Sequence, residues 1–278
     1  MLYLNIKKES RWYYGIKKVK LFPNNNKHSL AVSKLLRNKL VKNGYQVVEN
    51  DYDLAIAIGG DGSFLRMVKE NNFNDNIYYI GVNTGTLGFL QEIQPAEIDL
   101  FLDKIKNELY KIERVGIQET NIISEKEEKT VYSLNEIAIR DESFNVVKLN
   151  VYVNNSLLGL YTGDGLLVAT SIGSTAYNVS LNGSIVYGDL HTLQVTPIAP
   201  LKNKEYRNLE NSIVIPEKKI IKIVPLDVNR NLMMLVDGEK LELSRVEEIK
   251  TSVSKKKINC LRMNDYDYTN IIHDKLLK

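Results

Sequence analysis

The sequence predicts an α/β domain with a mainly parallel sheet, followed by an all-β domain. Three observations carry this. Up to about residue 110, short apolar runs alternate with segments of helical spacing, the pattern of βα units. Beyond Lys111 the chain reads as short strands separated by turn signals. The 278 residues are 44% hydrophobic and 26% charged, the composition of an ordinary globular chain that can bury a core.

The first strand is Val19–Phe22, ended by Pro23 and Asn24–Asn26. An amphipathic helix follows over Ser29–Asn43, with Leu30, Leu35, Leu36 and Leu40 as its apolar face and Gly44 as its C-cap. Gly44–Val48 starts a second strand, and Leu54–Ile58 is a third. That third strand runs into Gly59-Gly-Asp-Gly62 and then a helix bearing Phe64, Leu65, Met67 and Val68. Asn71–Asn76 is a polar loop, Ile77–Val82 another buried strand, and Asn83–Leu90 a second glycine-containing loop. A helix around Pro95–Asn107, with Ile98, Leu102 and Ile105 apolar, completes the domain. In open α/β sheets, loops at the carboxyl ends of strands hold ligands, and a helix starting there aims N–H groups at phosphate. Asp61 is out of place in a phosphate cradle unless it binds a cation or accepts a proton. That contrast points to phosphoryl transfer with Asp61 at its centre.

The second half predicts strands at Lys111–Gln118, Val131–Arg140, Val146–Val153, Leu166–Ser171, Ser212–Ile215, Ile220–Pro225, Met233–Val236, Lys240–Leu243 and Glu248–Ser254. Asn154-Asn155 and Asp237-Gly238 read as tight hairpin turns. Ser174–Leu181 is a helical candidate and Asp265–Leu277 a short final helix. Glu125–Lys129 is a charged hairpin end, and Lys255–Lys257 a solvated strand end.

Three further groups stand in this half. Asn135-Glu136, inside the strand Leu134–Arg140, places an amide and a carboxylate on opposite faces; an exposed edge would carry the same pair. Gly163-Asp-Gly165 leads through Leu166–Ala169 into Thr170–Tyr177, where small residues allow close backbone approach to a ligand and Tyr177 can stack. A hairpin turn and an N-cap at Ser174 would explain the same residues. Ala199-Pro200 lies in a Pro-flanked loop, Thr196–Leu201, consistent with turn chemistry alone.

Bulk properties narrow the classes. A net charge of +3 is too small to argue for nucleic acid. The single Cys260 excludes an intrachain disulfide and a cysteine-cluster metal site, and reads as a buried core thiol. The three histidines have no metal-ligand spacing. Met1–Ser10 lacks a signal-peptide pattern and nothing approaches the ~18 apolar residues of a membrane span, so no membrane association and a cytoplasmic location are expected. There is no Walker A sequence and no G-x-G-x-x-G fingerprint.

GGDGSFLR at Gly59–Arg66, NTGTLGFL at Asn83–Leu90, NE at Asn135-Glu136 and GDGLLVATSIGSTAYNVSLNG at Gly163–Gly183 occur in that order. Together they resemble the bacterial NAD kinases, over roughly residues 19 to 260. GGDG alone is shared with lipid and sugar kinases; the later motifs are more specific. The resemblance implies transfer of the γ-phosphoryl of ATP, or of another phosphoryl donor, to the 2′-hydroxyl of the adenosine ribose of NAD, with Mg²⁺ or another divalent cation carried by the phosphates. It implies an α/β domain at 1–112 completed by 255–278, a β-rich domain at 113–254, a C-terminal segment returning to the first domain, and a homodimer or homotetramer. Asp61 matches the proton acceptor. Gly60 and Gly62 match residues against the dinucleotide, and Phe89 an aromatic packed near it. Asn135 and Glu136 match the pair that hydrogen-bonds adenine and ribose. Asp164 matches a carboxylate near the nicotinamide end, often presented across a subunit interface. Thr175, Ala176, Tyr177, Asn178 and Ser180 match the adenosine wall, and Ala199 a backbone contact. Arg66 matches a basic residue near NAD, although a surface helix would carry it equally well. Departures are Ile172 for a hydroxyl before Gly173, Thr162 for a basic residue, and Val146 or Val147 for a polar one; Glu239 stands where glutamine is common. A GGDG lipid or sugar kinase and a non-catalytic NAD(P)-sensing module are the competing readings.

Overall fold

The computed structural model describes residues 15–85, 88–201 and 208–278. The N-terminal reading of Met1–Ser10, and Thr86 and Leu87 of the second glycine loop, lie outside these.

The elements in order are β1 (Lys18–Pro23), α1 (Lys27–Lys42), β2 (Gln46–Val47), β3 (Leu54–Gly59), α2 (Asp61–Glu70), β4 (Tyr78–Asn83), α3 (Ile98–Lys106), β5 (Tyr110–Ser124), β6 (Glu128–Ser133), β7 (Glu136–Asp141), β8 (Val147–Val153), β9 (Ser156–Thr170), α4 (Tyr177–Ser180), β10 (Thr192–Pro200), β11 (Ile213–Pro216), β12 (Ile221–Pro225), β13 (Leu232–Val236), β14 (Glu239–Leu243), β15 (Val246–Met263) and α5 (Tyr268–Ile272). They form two compact units. Among the described residues, the first comprises residues 15–67, Asn76–Lys111 and Leu261–Asp265; the second comprises Val68–Asp75, Ile112–Cys260 and Tyr266–Lys278.

In the first unit, β1, β2, β3 and β4 pair in parallel in the order β2-β1-β3-β4. All six residues of β3 are buried, as expected of a central parallel strand covered on both faces. The core gathers Val19, Leu36, Leu40, Ile56, Ile58, Ile80, Phe101 and Leu102, with Leu261 and Met263 from the end of β15. Helix α1 buries Ser29, Val32, Leu36 and Leu40. Leu30 and Leu35, expected in the apolar face, are 46% and 45% exposed. The helix is rotated because Ser29 Oγ lies 2.7 Å from Thr84 Oγ1, which draws that position inward. Asn43 is the C-cap, and Gly44 follows it with φ +87°.

The second unit is antiparallel wherever its pairings are resolved. Its strands run β14-β13-β7-β9-β8-β12-β15, with β10 between β9 and β11, and β6 on β5. Strand β9 is the spine. Its first half pairs with β8 across the Asn154-Asn155 turn, and its second half pairs with β7 and β10. Gly163 is where it changes partners, opposite Val147 on β8 and Pro200 on β10. One core contains Ile137, Ile139, Leu149, Val151, Tyr161, Leu166, Val168 and Val195. Alternate residues face the other way: Ala138, Leu167, Ala169 and Ile198 form a smaller cluster with Tyr177, Leu181 and Leu235 against it.

Several expectations change. The single strand expected over Val131–Arg140 is β6 and β7, broken by a bend at Leu134-Asn135. The loop expected at Thr196–Leu201 is largely β10. Proline is tolerated there because β11 pairs only with Thr192–Val195, so Pro197 bonds on one side alone. Ser174 is not an N-cap. It is fully buried, its Oγ donating to Val186 O and accepting from Val186 N–H. Lys255–Lys257 lie within β15 rather than at its end. Cys260 is buried, as expected.

Candidate active site

In the first unit, the strand order places β1 and β3 side by side with their connections leaving in opposite directions, the switch point at which open α/β sheets bind ligands. The loops at these carboxyl ends bond to one another. Asn24 N–H donates to Ile58 O at 2.8 Å and Thr84 N–H to Gly59 O at 3.0 Å. Gln91 Nε2 donates to Gly60 O at 2.8 Å. Asn26 caps α1 by accepting from Ser29 N–H at 2.8 Å.

Asp61 is the first residue of α2. Its Oδ2 accepts from Phe89 N–H at 2.8 Å and its Oδ1 from Leu90 N–H at 2.9 Å. The carboxylate thus organises the second glycine loop as well as facing the helix start. A carboxylate offers about four acceptor positions, of which these amides use two. Arg66 is exposed, and its Nη2 donates to Pro23 O at 2.8 Å.

The glycines divide by what a side chain would meet. A Cβ on Gly59 would come within 2.1 Å of Ser63 Oγ, so Gly59 serves packing. A Cβ on Gly60 or Gly62 would meet nothing within 4 Å. Open space at these two positions, beside Asp61 and a helix N-terminus, can admit a ligand. The second motif differs. A Cβ on Gly163 would lie 2.2 Å from the Tyr161 hydroxyl, on Gly165 2.5 Å from Ile139 O, and on Gly173 2.0 Å from Asn135 O. The close approach expected there is to protein atoms, not to a ligand.

In the second unit, Asn135 and Glu136 are 8% and 7% exposed. Asn135 lies in the bend before β7, so the opposite-face arrangement of a continuous strand does not apply. Its main chain is held on both sides: N–H to Asp237 Oδ1 at 2.7 Å, and C=O accepting from Thr170 N–H at 2.8 Å. Glu136 pairs with Ala169, and by strand alternation it shares its face with Ala138 and Arg140. Its Oε2 is buried without a hydrogen-bond partner. Burial, and then the nearby Asp237 charge, push the Glu136 carboxyl up to about 8, with the Tyr177 N–H acting in the opposite direction. A buried carboxyl oxygen left unpaired is costly and calls for a hydrogen-bonding partner.

The remaining residues surround this face. Tyr177 is half-buried against the Ala138–Leu167–Ala169–Ile198 cluster. Thr175 Oγ1 donates to Ile172 O at 3.2 Å, and Ala176 separates a 3₁₀ turn from α4. Ser180 is exposed and donates to Tyr177 O at 2.7 Å. Asn178 is turned into the protein. It is fully buried, donating to Ser174 O and Ser184 O and accepting from Thr196 Oγ1 at 2.6 Å, so it braces the wall from behind. Asp164 sits in β9 opposite the irregularity at Ala199, which has no partner in the β9–β10 register and φ +47°. For a non-glycine residue that is a strained backbone, a feature that clusters at ligand sites. The Tyr161 hydroxyl supports both segments, donating to Ile198 O at 2.6 Å and accepting from Gly165 N–H at 3.3 Å; burial pushes it up to about 12.

Three contributors escaped the sequence reading. Asn24 and Gln91 tie the first unit's loops, and Arg140 presents a buried, unpartnered Nε on the Glu136 face; Thr170, the start of the expected Thr170–Tyr177 segment, holds the Asn135 carbonyl. Only Asn24 carried a local signal, as a residue just past a strand end. Among the described residues no group of three or more His, Cys, Asp or Glu side chains could hold a metal ion, and no helix is long and apolar enough to cross a membrane.

Comparison with known proteins agrees with this layout. The model of the ATP-NAD kinase N-terminal domain matches residues 15–110, and that of the ATP-NAD kinase C-terminal domain matches residues 134–263. The chain is 36% identical over 269 residues to the NAD kinase of Finegoldia magna, covering 93% of this chain and 97% of that protein. It is 31% identical to the NAD kinase of Clostridium beijerinckii, covering 87% and 85%. Among solved structures, yeast NADH kinase complexed with NADH aligns at TM-score 0.84 with 20% identity, over 96% of this chain and 89% of that one. An NAD kinase from Archaeoglobus fulgidus in complex with ATP aligns at TM-score 0.74 with 21% identity, over 91% and 96%. At these identities the solved structures speak for the fold, and the two domain models together with the curated relatives speak for kinship: the chain belongs to the ATP-NAD kinase family.

Proposed function

We propose that this chain transfers the γ-phosphoryl group of ATP to the 2′-hydroxyl of the adenosine ribose of NAD, giving NADP. The observation that carries the acceptor half is the buried, unpartnered Oε2 of Glu136, which needs a hydrogen-bonding group from a ligand. Asn135 and Glu136 then recognise adenine and ribose. Tyr177, Thr175, Ala176 and Ser180 form the adenosine wall, with Asn178 behind them, and Ala199 offers its main chain. Asp164 serves the nicotinamide end. The donor half rests on the open space at Gly60 and Gly62, with the α2 N-terminus favouring negative charge; Phe89, whose N–H is bonded to Asp61, and Arg66 on α2 serve the NAD side.

Asp61 accepts the proton of the 2′-hydroxyl as the new O–P bond forms and the bond to the departing diphosphate breaks. Its orientation is set by the Phe89 and Leu90 N–H groups. The linked stretches Pro23–Asn26, Gly59–Gly62, Asn83–Gly85 and Gly88–Gln91 contain one acidic residue, Asp61. That donor set fits Mg²⁺ held chiefly by phosphate oxygens and water rather than by a protein cage. When bound, the ion offsets charge on the transferring phosphoryl group. Assembly as a homodimer or homotetramer belongs to the same reading.

The test is incubation with NAD, ATP and Mg²⁺, with NADP read by an NADP-specific dehydrogenase. NADP formation supports the proposal. Binding of NAD without product supports a sensing module instead, and phosphorylation of a lipid or sugar in its place supports a generic GGDG kinase.

A further inference from the structure

Asp237 occupies the turn between β13 and β14, with φ +49°, and Gly238 follows with φ +85°. Two left-handed residues make the type I′ turn that suits a two-residue hairpin. The turn is also attached to something else. Asp237 Oδ2 accepts from Leu134 N–H at 2.8 Å, and its Oδ1 accepts from Asn135 N–H at 2.7 Å and Glu136 N–H at 3.2 Å. Its own N–H donates to Glu136 O at 3.0 Å. Three successive main-chain donors, two from the bend and one from the first residue of β7, thus converge on one side chain.

Charge completes the arrangement. Burial raises the Asp237 carboxyl, while the three N–H donors and the Lys69 charge lower it. Lys69 also pairs with Glu239, two residues on at the start of β14. An asparagine would suit the turn geometry equally well, so the turn alone does not require a carboxylate. Asparagine has one acceptor oxygen, with two lone pairs, and its NH₂ would face a main-chain donor.

We propose that Asp237 is a positioning residue for NAD recognition: its carboxylate gathers the N–H groups of Leu134, Asn135 and Glu136 and thereby sets the Asn135 and Glu136 side chains for the adenosine. This rests on the proposed function, and it assigns to the β13–β14 turn a role in substrate affinity rather than in hairpin closure alone.

The test is Asp237→Asn in the full chain, with steady-state kinetics in NAD and in ATP and a melting curve. The expected result is a folded protein whose KM for NAD rises by about 5- to 100-fold, the usual cost of stranding one buried donor. Its kcat and KM for ATP stay within about twofold, on the same premise of one local loss. Lys69→Ala, which leaves the carboxylate and its three donors in place, should raise the KM for NAD less. The proposal is overturned by an unchanged KM for NAD, by a parallel fall in kcat with both KM values, or by a variant that does not fold, since the turn itself accepts asparagine. If the parent chain forms no NADP, it is the functional assignment that has failed; a parent that forms NADP with an unaffected variant fails this inference alone.

Discussion

Replacing Asp61 with Asn separates the hydrogen-bonding role of its carboxylate from the proton-accepting role proposed for it. Asp61 takes a hydrogen bond from Phe89 N–H at 2.8 Å and another from Leu90 N–H at 2.9 Å, one on each oxygen. Asparagine keeps the shape but turns an NH₂ toward one of those amides, so one donor loses its acceptor. That costs about 1–3 kcal/mol, or a fall in Tm of about 2–4 °C per kcal/mol for a chain of this size. The chemical loss is larger. A positioned base contributes about 10²–10⁴-fold, or about 2.7–5.5 kcal/mol at ~1.36 kcal/mol per decade. The expected variant is therefore folded, melts a few degrees lower, keeps most of its NAD affinity because the lost donor lies within the protein, and turns over at least a hundredfold more slowly than the parent, the order of a positioned base. NADP formation with both substrates varied, alongside calorimetric NAD binding and a melting curve, resolves the parts. A kcat within tenfold of the parent, or a loss carried wholly by the KM for NAD, would refute the assignment of Asp61 as the base.

Four other outcomes are expected. Gly60→Ala should leave Tm within about 1 °C, since its Cβ meets nothing within 4 Å and lies outside the core effects that dominate stability, yet lower activity at least tenfold; Gly173→Ala, with a Cβ 2.0 Å from Asn135 O, should instead lower Tm by several degrees. Tyr177→Ala should weaken NAD binding more than it lowers the maximal rate, and a fall in rate alone would remove Tyr177 from the stacking wall. Glu136 holds its proton in the folded state up to about 8, against an ordinary 4.5, so its contribution to stability is most favourable below pH 4.5 and declines as pH rises to about 8, by about 3–5 kcal/mol in all; Glu136→Gln should flatten the fall of Tm over that window, and an unaltered slope would contradict the assignment. Tyr161→Phe strands the Ile198 carbonyl and the Gly165 N–H, and denaturant unfolding should register about 1–3 kcal/mol.

The alternation of buried strands and helices was legible because central parallel strands need unbroken apolar runs, as Leu54–Ile58 has. The Asp237-Gly238 turn was legible because few sequences adopt two left-handed residues in succession. What escaped depends on contacts distant in sequence. Leu30 and Leu35 look like core residues until Ser29 is seen bonded to Thr84, 55 positions away. The glycines around Asp164 look like ligand clearance until Tyr161 is seen against Gly163 and the Ile139 carbonyl against Gly165. Asn178 sits inside a motif of candidate contacts, yet its amide is spent on Ser174, Ser184 and Thr196. Residue type announced the chemistry in each case, but the neighbour each residue meets was set by topology.

The clamp of Asp237 on Asn135 also has a consequence in time. The two residues are 102 positions apart. Ribosomes add about 5–20 residues per second, so Asn135 and Glu136 are made roughly 5–20 s before the carboxylate that orders them. Strands β8 and β9 meet across a two-residue turn and can pair within about 1–10 μs of emerging. The bend beside them waits for the β13–β14 hairpin, nearly the end of the chain. A product released before Asp237 would carry β7, β9 and β10 and still lack the carboxylate that orders Asn135 and Glu136. Nucleotide capture by ribosome-bound chains of increasing length would then rise late, only once the hairpin has cleared the exit tunnel.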